Sequence, residues 1–182
     1  MPNPKISILV DYAHESASLK RVLETLSDWR RRQCFDKIIH IVSDPGVGRD
    51  DWKKPLLGSI SYSNADFTIV STDDYDASDD PSEIVRLISQ NYPTETENKK
   101  IENLETGQKW HKEIDRDKAM QKALIVANQL IKSSGPETKI LILSTGVGCA
   151  QTMSQPSGEK PRDERTIWRK LWNEYKIGRA HV

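Results

Sequence analysis

Four short stretches hold the residues able to do chemistry. Val10-Asp11-Tyr12-Ala13-His14 sets a carboxylate, a phenol and an imidazole close together. Asp11 can accept hydrogen bonds from a sugar hydroxyl, while Tyr12 and His14 offer flat faces and donors. The competing reading is a turn that these side chains merely satisfy. Asp44-Pro-Gly-Val-Gly-Arg-Asp-Asp-Trp-Lys-Lys-Pro-Leu-Leu57 carries two glycines that let backbone amides approach an anion, then Arg49, Lys53 and Lys54. Arg49 can grip phosphate or carboxylate with two parallel hydrogen bonds. Asp50 and Asp51 offset part of that charge, as in an ordinary solvated loop, but Trp52 and the glycines are costly in a mere connector.

The third stretch, Asp73 to Asp80, is acidic but lacks the mid-loop glycine and closing glutamate of a calcium-binding hand, so no metal site is expected. Asp80, Pro81 and Glu83 read as a helix start with a capping acid, a proline at the first helical position and a glutamate three after the cap. Asp79 and Asp80 are therefore structural, and Asp74, Tyr75 and Asp76 are left to receive a ligand ammonium. The fourth is the tight turn Thr145-Gly146-Val147-Gly148-Cys149.

Positioning these stretches requires a scaffold, and the apolar pattern supplies one. Lys5–Val10, Lys37–Ser43, Asp66–Ser71 and Lys139–Ser144 are short β-branched runs that read as buried strands, with a further short strand at Trp110–Ile114. Between them lie helical patterns: Ser16–Arg31 with Leu19, Val22, Leu23 and Leu26 on one face, Lys54–Asn64, a helix after Asp80, one after Asp115, and a last from Asp163 to Tyr175. This alternation predicts an α/β fold with a doubly wound, mostly parallel sheet of about five to six strands. Right-handed crossovers place the loops that follow strands on one edge, so all four stretches are expected to converge. His40, inside the second strand, reads as a packed core or surface residue and not a catalyst, and Arg30-Arg31-Arg32 as cations closing a helix.

Composition narrows the function classes. The 182 residues carry 27 basic and 27 acidic side chains, so no global field recruits nucleic acid or a membrane surface. No apolar run approaches a membrane span, and Cys34 and Cys149 stand apart without ligand-spaced partners, which fits reduced cytoplasmic thiols. One domain is expected over 1–176, interrupted by a polar surface insertion at 94–109. Residues 177–182 match the translation of a widely used sequencing adapter and are expected to be an artefact, with the chain a fragment of a longer protein.

Taken together, Val10–His14 with Ser18-Leu19, then Gly48-Arg-Asp-Asp-Trp-Lys-Lys-Pro-Leu-Leu-Gly58, then Asn64-Ala65-Asp66, resemble the carboxyl-terminal domain of the Mur ligases. The branch resembled adds a diamino acid to UDP-N-acetylmuramoyl-L-alanyl-D-glutamate. The resemblance runs from about Lys5 to Trp172 and implies a Rossmann-like fold and an ATP-dependent amide ligase of peptidoglycan synthesis. Its magnesium ligands and phosphate loop would belong to a central domain not in this sequence. The implied partners are the UDP-muramoyl dipeptide, the diamino acid and upstream domains of a monomeric enzyme.

By position, the resemblance gives Asp11, Tyr12, His14 and Arg49 to the nucleotide, and Lys54, Asp74, Asp76, Gly146 and Gly148 to the amino acid. Lys54 stands where the family usually has an arginine on the amino acid's carboxylate. The family's Asp-Asn-Pro-Arg, or its Asp-Pro-Tyr-Asp variant, is here Asp74-Tyr75-Asp76-Ala77, and its Gly-Lys-Gly-His-Glu or Gly-Lys-Gly-Cys-Glu is Gly146-Val147-Gly148-Cys149-Ala150. These departures leave a second reading, a nucleotide-binding module without catalysis.

Overall fold

The computed structural model describes residues 5–46, 48, 50–93, 108–149, 151–154 and 157–180. In chain order the elements are β1 (Ile6–Val10), α1 (Ser16–Arg31), β2 (Lys37–Val42), a 3-10 turn at Asp51–Lys53, α2 (Lys54–Asn64), β3 (Phe67–Val70) and α3 (Pro81–Ser89). They continue as β4 (Trp110–Lys112), α4 (Arg116–Ser134), β5 (Ile140–Ser144), β6 (Gln151–Met153), β7 (Lys160–Arg162) and α5 (Glu164–Ala180).

Five strands form one sheet in the order β1-β5-β2-β3-β4, and every neighbouring pair is parallel. The central strands are buried on both faces, which is why they read as continuous apolar runs. Ile39, Ile41, Ile69, Ile140 and Ile142 point to α4 and α5, packing on Ala119, Ala123, Trp168 and Leu171. Ile38, Val42, Val70, Leu141 and Leu143 point the other way, onto Leu19, Leu23 and Leu26 of α1, Leu57 of α2 and Ile84 and Ile88 of α3. Helices on both faces make the sheet doubly wound, as the alternation predicts.

Local signals set the helix ends. Asp80 caps α3 by accepting from the Ser82 N–H at 2.9 Å, and Asp115 caps α4 by accepting from Lys118 N–H at 3.0 Å. Glu83 pairs forward with Arg86 at 2.6 Å instead of reaching back to the cap, because an arginine three residues on offers a charged partner. Asp66 ties the start of β2 to that of β3, accepting from the Ile38 N–H at 2.9 Å and pairing with Lys37 and Arg30. His40 is fully buried between the Ser61 hydroxyl at 2.7 Å and the Thr145 hydroxyl at 2.9 Å, and burial followed by the charge of Arg116 lowers its pKa to about 3.

Two further features differ from expectation. The helix expected to stop at Tyr175 runs to Ala180, since nothing before Gly178 breaks it. The antiparallel pair β6–β7 has no counterpart in the pattern reading, because three-residue strands with Pro161 in one of them leave no period to detect. Most of the polar insertion, residues 94–107, lies outside the described residues.

Candidate functional site

The connectors after β1, β2, β3 and β5 meet beyond the carboxyl ends of the strands. After β1, Asp11 donates its N–H to the Ser144 carbonyl at 2.9 Å, joining two strand ends, and its Oδ1 accepts from the Ala13 N–H at 2.8 Å. The His14 Nδ1–H donates to the Tyr12 carbonyl at 2.8 Å, since a carbonyl only accepts. That contact fixes the ring 4.6 Å from the Tyr12 ring, centre to centre. Tyr12 stays half exposed.

Tyr12 and His14 form one wall of a cleft of about 200 Å³, and Asp74 and Gly146 also line it. These four of the sequence-derived site residues come together. Asp73, Pro45 and Val147 line the cleft as well, together with Thr152 and Met153 of β6.

The glycines of the β5 turn are fitted to these neighbours. Gly146 has φ +106°, and a Cβ there would strike the Asp73 carboxylate and the Ser43 hydroxyl. Gly148, at φ +69°, would press a Cβ within 3.1 Å of the Tyr12 ring. Gly148 itself supports the wall without lining the cleft, and its carbonyl accepts from the Glu164 N–H at 3.4 Å.

Asp74 anchors the β6–β7 hairpin. Its Oδ1 accepts from the Ser154 N–H, its carbonyl accepts from the Gly46 N–H at 2.8 Å, and the Tyr75 N–H donates to the Ser154 carbonyl at 3.3 Å. Asp76 turns away from the cleft lining, its Oδ1 accepting from the Ser78 N–H at 2.8 Å and the Ser78 hydroxyl at 2.6 Å.

The cations after β2 are used within the protein. Lys54 is completely buried, donating to Asp51 at 2.7 Å and to the Gly46 carbonyl at 3.1 Å, with Asp44 at 3.4 Å. Lys53 reaches Glu15 at 2.7 Å and Asp44 at 3.5 Å. Neither lysine lines the cleft. Burial raises the Asp44 pKa to about 6 even with both lysines drawing it down. Arg49 lies outside the described residues.

Behind the cleft sits a buried group that the pattern reading missed. Arg116, first residue of α4, pairs with Glu164 at 2.8 Å and donates to the Ser43 hydroxyl at 3.0 Å, the Ser144 hydroxyl at 3.2 Å and the Thr145 carbonyl at 2.7 Å. The Ser43 hydroxyl in turn donates to Asp73 Oδ2 at 3.1 Å. Burial opposes both charges, yet the mutual attraction of Arg116 and Glu164 keeps the pair ionised, holding the Glu164 pKa down and the Arg116 pKa up. Burial pushes Asp73 up, against the pull of Arg116. The signal was present: Arg116 falls three and seven positions before Ala119 and Ala123, on the apolar face of α4, where an unpaired charge is untenable. Among the described residues, no group of three or more His, Cys, Asp or Glu side chains is placed to hold a metal ion.

The model of the family described as Mur ligase, glutamate ligase domain, matches residues 2–135. The chain belongs to this family. Among similar proteins, the UDP-N-acetylmuramoyl-L-alanyl-D-glutamate--2,6-diaminopimelate ligase of Clostridioides difficile is 30% identical over 147 residues, 78% of this chain and 27% of that protein. The ligase of the same name from Cytophaga hutchinsonii is 30% identical over 92% of this chain and 29% of its own length. A solved structure of a ligase of this name superposes with a TM-score of 0.70 at 19% identity, covering 94% of this chain and 30% of that one. That likeness shows the fold, and this Mur ligase domain spans less than a third of each of these three proteins. Among the described residues of the Mur ligase domain, no helix is long and apolar enough to cross a membrane.

Proposed function

We propose that this domain is the carboxyl-terminal part of an ATP-dependent amide ligase of peptidoglycan precursor synthesis, adding a diamino acid to UDP-N-acetylmuramoyl-L-alanyl-D-glutamate in the cytoplasm. The observation that carries the reading is the shared cleft: Tyr12 and His14, from the motif after β1, line it together with Asp74 and Gly146 from two other connectors. Membership of the Mur ligase family supplies the chemistry. ATP transfers its γ-phosphoryl group to the dipeptide carboxylate, giving an acyl phosphate and ADP. The incoming amine adds to that carbonyl, the tetrahedral intermediate collapses, and phosphate leaves as the amide forms and the ammonium proton is lost.

The domain's share of that work is positioning. Asp11 would accept from the ribose, Tyr12 and His14 would lie along the nucleotide, and Arg49 would neutralise phosphate charge. Asp74, Gly146 and Gly148 would shape the amino-acid subsite, with Asp74 acting by holding the hairpin wall and Lys54 and Asp76 by stiffening the connectors they sit in. Magnesium would screen the ATP phosphates, held by ligands in the enzyme's central domain.

Phosphate release by the enzyme carrying this domain tests the reading. Release is expected only when ATP, the muramoyl dipeptide and a diamino acid are all present, and release indifferent to the amino acid overturns it. Asp11→Ala is expected to weaken nucleotide binding, whereas His111→Ala, on β4, is expected to leave it unchanged. The replacement of the family's lysine and glutamate by Val147 and Ala150 favours the second reading, a nucleotide-binding module that closes over ATP without ligating. ATP binding with no phosphate release under any substrate combination identifies that case.

A further inference from the structure

The Tyr12–His14 wall is braced from two sides. From the β5 turn, Gly148 lies so close to the Tyr12 ring that a Cβ would press on it. From the β2 connector, Lys53 reaches Glu15, the residue after His14 and the N-cap of α1, at 2.7 Å. Lys53 closes the 3-10 turn four residues after Arg49, so this one contact joins two motifs that the ligase reading gives to the nucleotide.

Charge balance does not demand the contact. Asp44 and Asp51 already set two carboxylates against the ammonium groups of Lys53 and Lys54. Glu15 is a third acid with a half-exposed side chain, yet Lys53 lies 2.7 Å from it and 3.5 Å from Asp44. Burial draws the Lys53 pKa down, and the Glu15 and Asp44 carboxylates outweigh it, so the ammonium stays charged. A solvated lysine samples many rotamers, but Lys53 is 4% exposed and bonded at its tip, which fixes the distance it spans. The wall needs such a brace: Tyr12 is 52% exposed, and the His14 ring bonds only within its own connector, to the Tyr12 carbonyl.

We propose that Lys53 is a positioning residue for the nucleotide, holding the Tyr12–His14 wall at a set distance from the connector of Arg49 through its ion pair with Glu15. The assignment rests on the ligase reading in taking that nucleotide to be ATP. Neither side chain lines the cleft, so both act through the wall.

Calorimetric titration of the enzyme carrying this domain with ATP tests the assignment. Lys53→Met and Glu15→Ser are each expected to raise the Kd about fivefold, serine being chosen because it still caps a helix. The double variant is expected to match the single ones instead of multiplying them, since both remove one contact. The remote Glu137→Gln, which breaks an exposed pair with Lys5, is expected to leave the Kd unchanged. Where turnover is measurable, the KM for ATP rises by the same factor with kcat retained. In the 182-residue chain, Lys53→Met is expected to shift the backbone amides of Tyr12 and His14, remote from it in sequence. If Lys53→Met loses its fold, the half-exposed Glu15→Ser carries the test alone.

Unchanged ATP affinity in the folded variants, multiplying effects in the double variant, or unmoved Tyr12 and His14 amides overturns the proposal. A parent that binds ATP without ligating, with affinity lost in both variants, overturns the ligase reading alone. Ligation by a parent whose ATP affinity neither variant alters overturns this inference alone, and a parent that binds no ATP overturns both.

Discussion

Arg116 donates to the carbonyl of Thr145 at 2.7 Å, so the first residue of α4 holds the backbone of the turn that follows β5. Through the same guanidinium it reaches Ser43 after β2 and Glu164 at the start of α5, and through Ser43 it reaches Asp73 after β3. One buried side chain thus sets the spacing of three connectors that form the cleft.

Replacing Arg116 by methionine should be costly. The substitution leaves Glu164 buried without its partner, a loss of about 3 to 5 kcal/mol. Urea unfolding of Arg116→Met is expected to show that drop, and the double variant Arg116→Met, Glu164→Gln is expected to recover part of it, because no charge is then stranded. A single variant as stable as the parent would show that the pair carries no such weight.

Asp44 gives a pH signature. Its carboxyl titrates near 6 in the fold and near its ordinary 3.8 in the unfolded chain, so across that interval the fold binds the proton and the unfolded chain does not. The contribution of Asp44 to stability is therefore greatest in acid and declines as pH rises from about 4 to about 6, by roughly 3 kcal/mol. His40 slopes the opposite way, since its lowered pKa makes acid favour the unfolded state below its ordinary 6.5. The difference in urea midpoint between the parent and Asp44→Asn, followed against pH, isolates Asp44. That difference is expected to shift in favour of Asn as pH rises through the window, and a flat difference would contradict it.

Gly148→Ala should act on the cleft more than on the fold. A methyl group at a left-handed φ strains the turn by about 1 kcal/mol and pushes on the half-exposed Tyr12 ring, which can swing outward. Ligand affinity at the cleft is expected to fall by about tenfold while the unfolding midpoint moves little. Calorimetric titration beside thermal unfolding separates the two effects.

The sheet was legible because its strands are apolar on both faces and its helices carry three- and four-residue spacing; Ser16–Arg31 and Lys54–Asn64 form between the residues expected. The meeting of Tyr12, His14, Asp74 and Gly146 followed from the crossover rule. Lys54 shows what pattern cannot supply: a lysine in a glycine-bearing loop reads as a ligand hand, yet Asp44 and Asp51 close by draw it into the interior. Asp73 and Asp74 line the cleft and Asp76 does not, a difference that adjacent acids in one connector do not show until their hydrogen bonds separate them.

The β6–β7 hairpin is tied to the body by Ser154 on Asp74, by Arg162 on Asp117 at 2.6 Å and on Glu164 at 3.4 Å, and by the buried Met153. It begins at Gln151, beyond residue 135, where the family match stops. Because Arg162 leans on Glu164, the partner of Arg116, a substitution in this panel reaches the buried ion pair as well as the rim of the cavity.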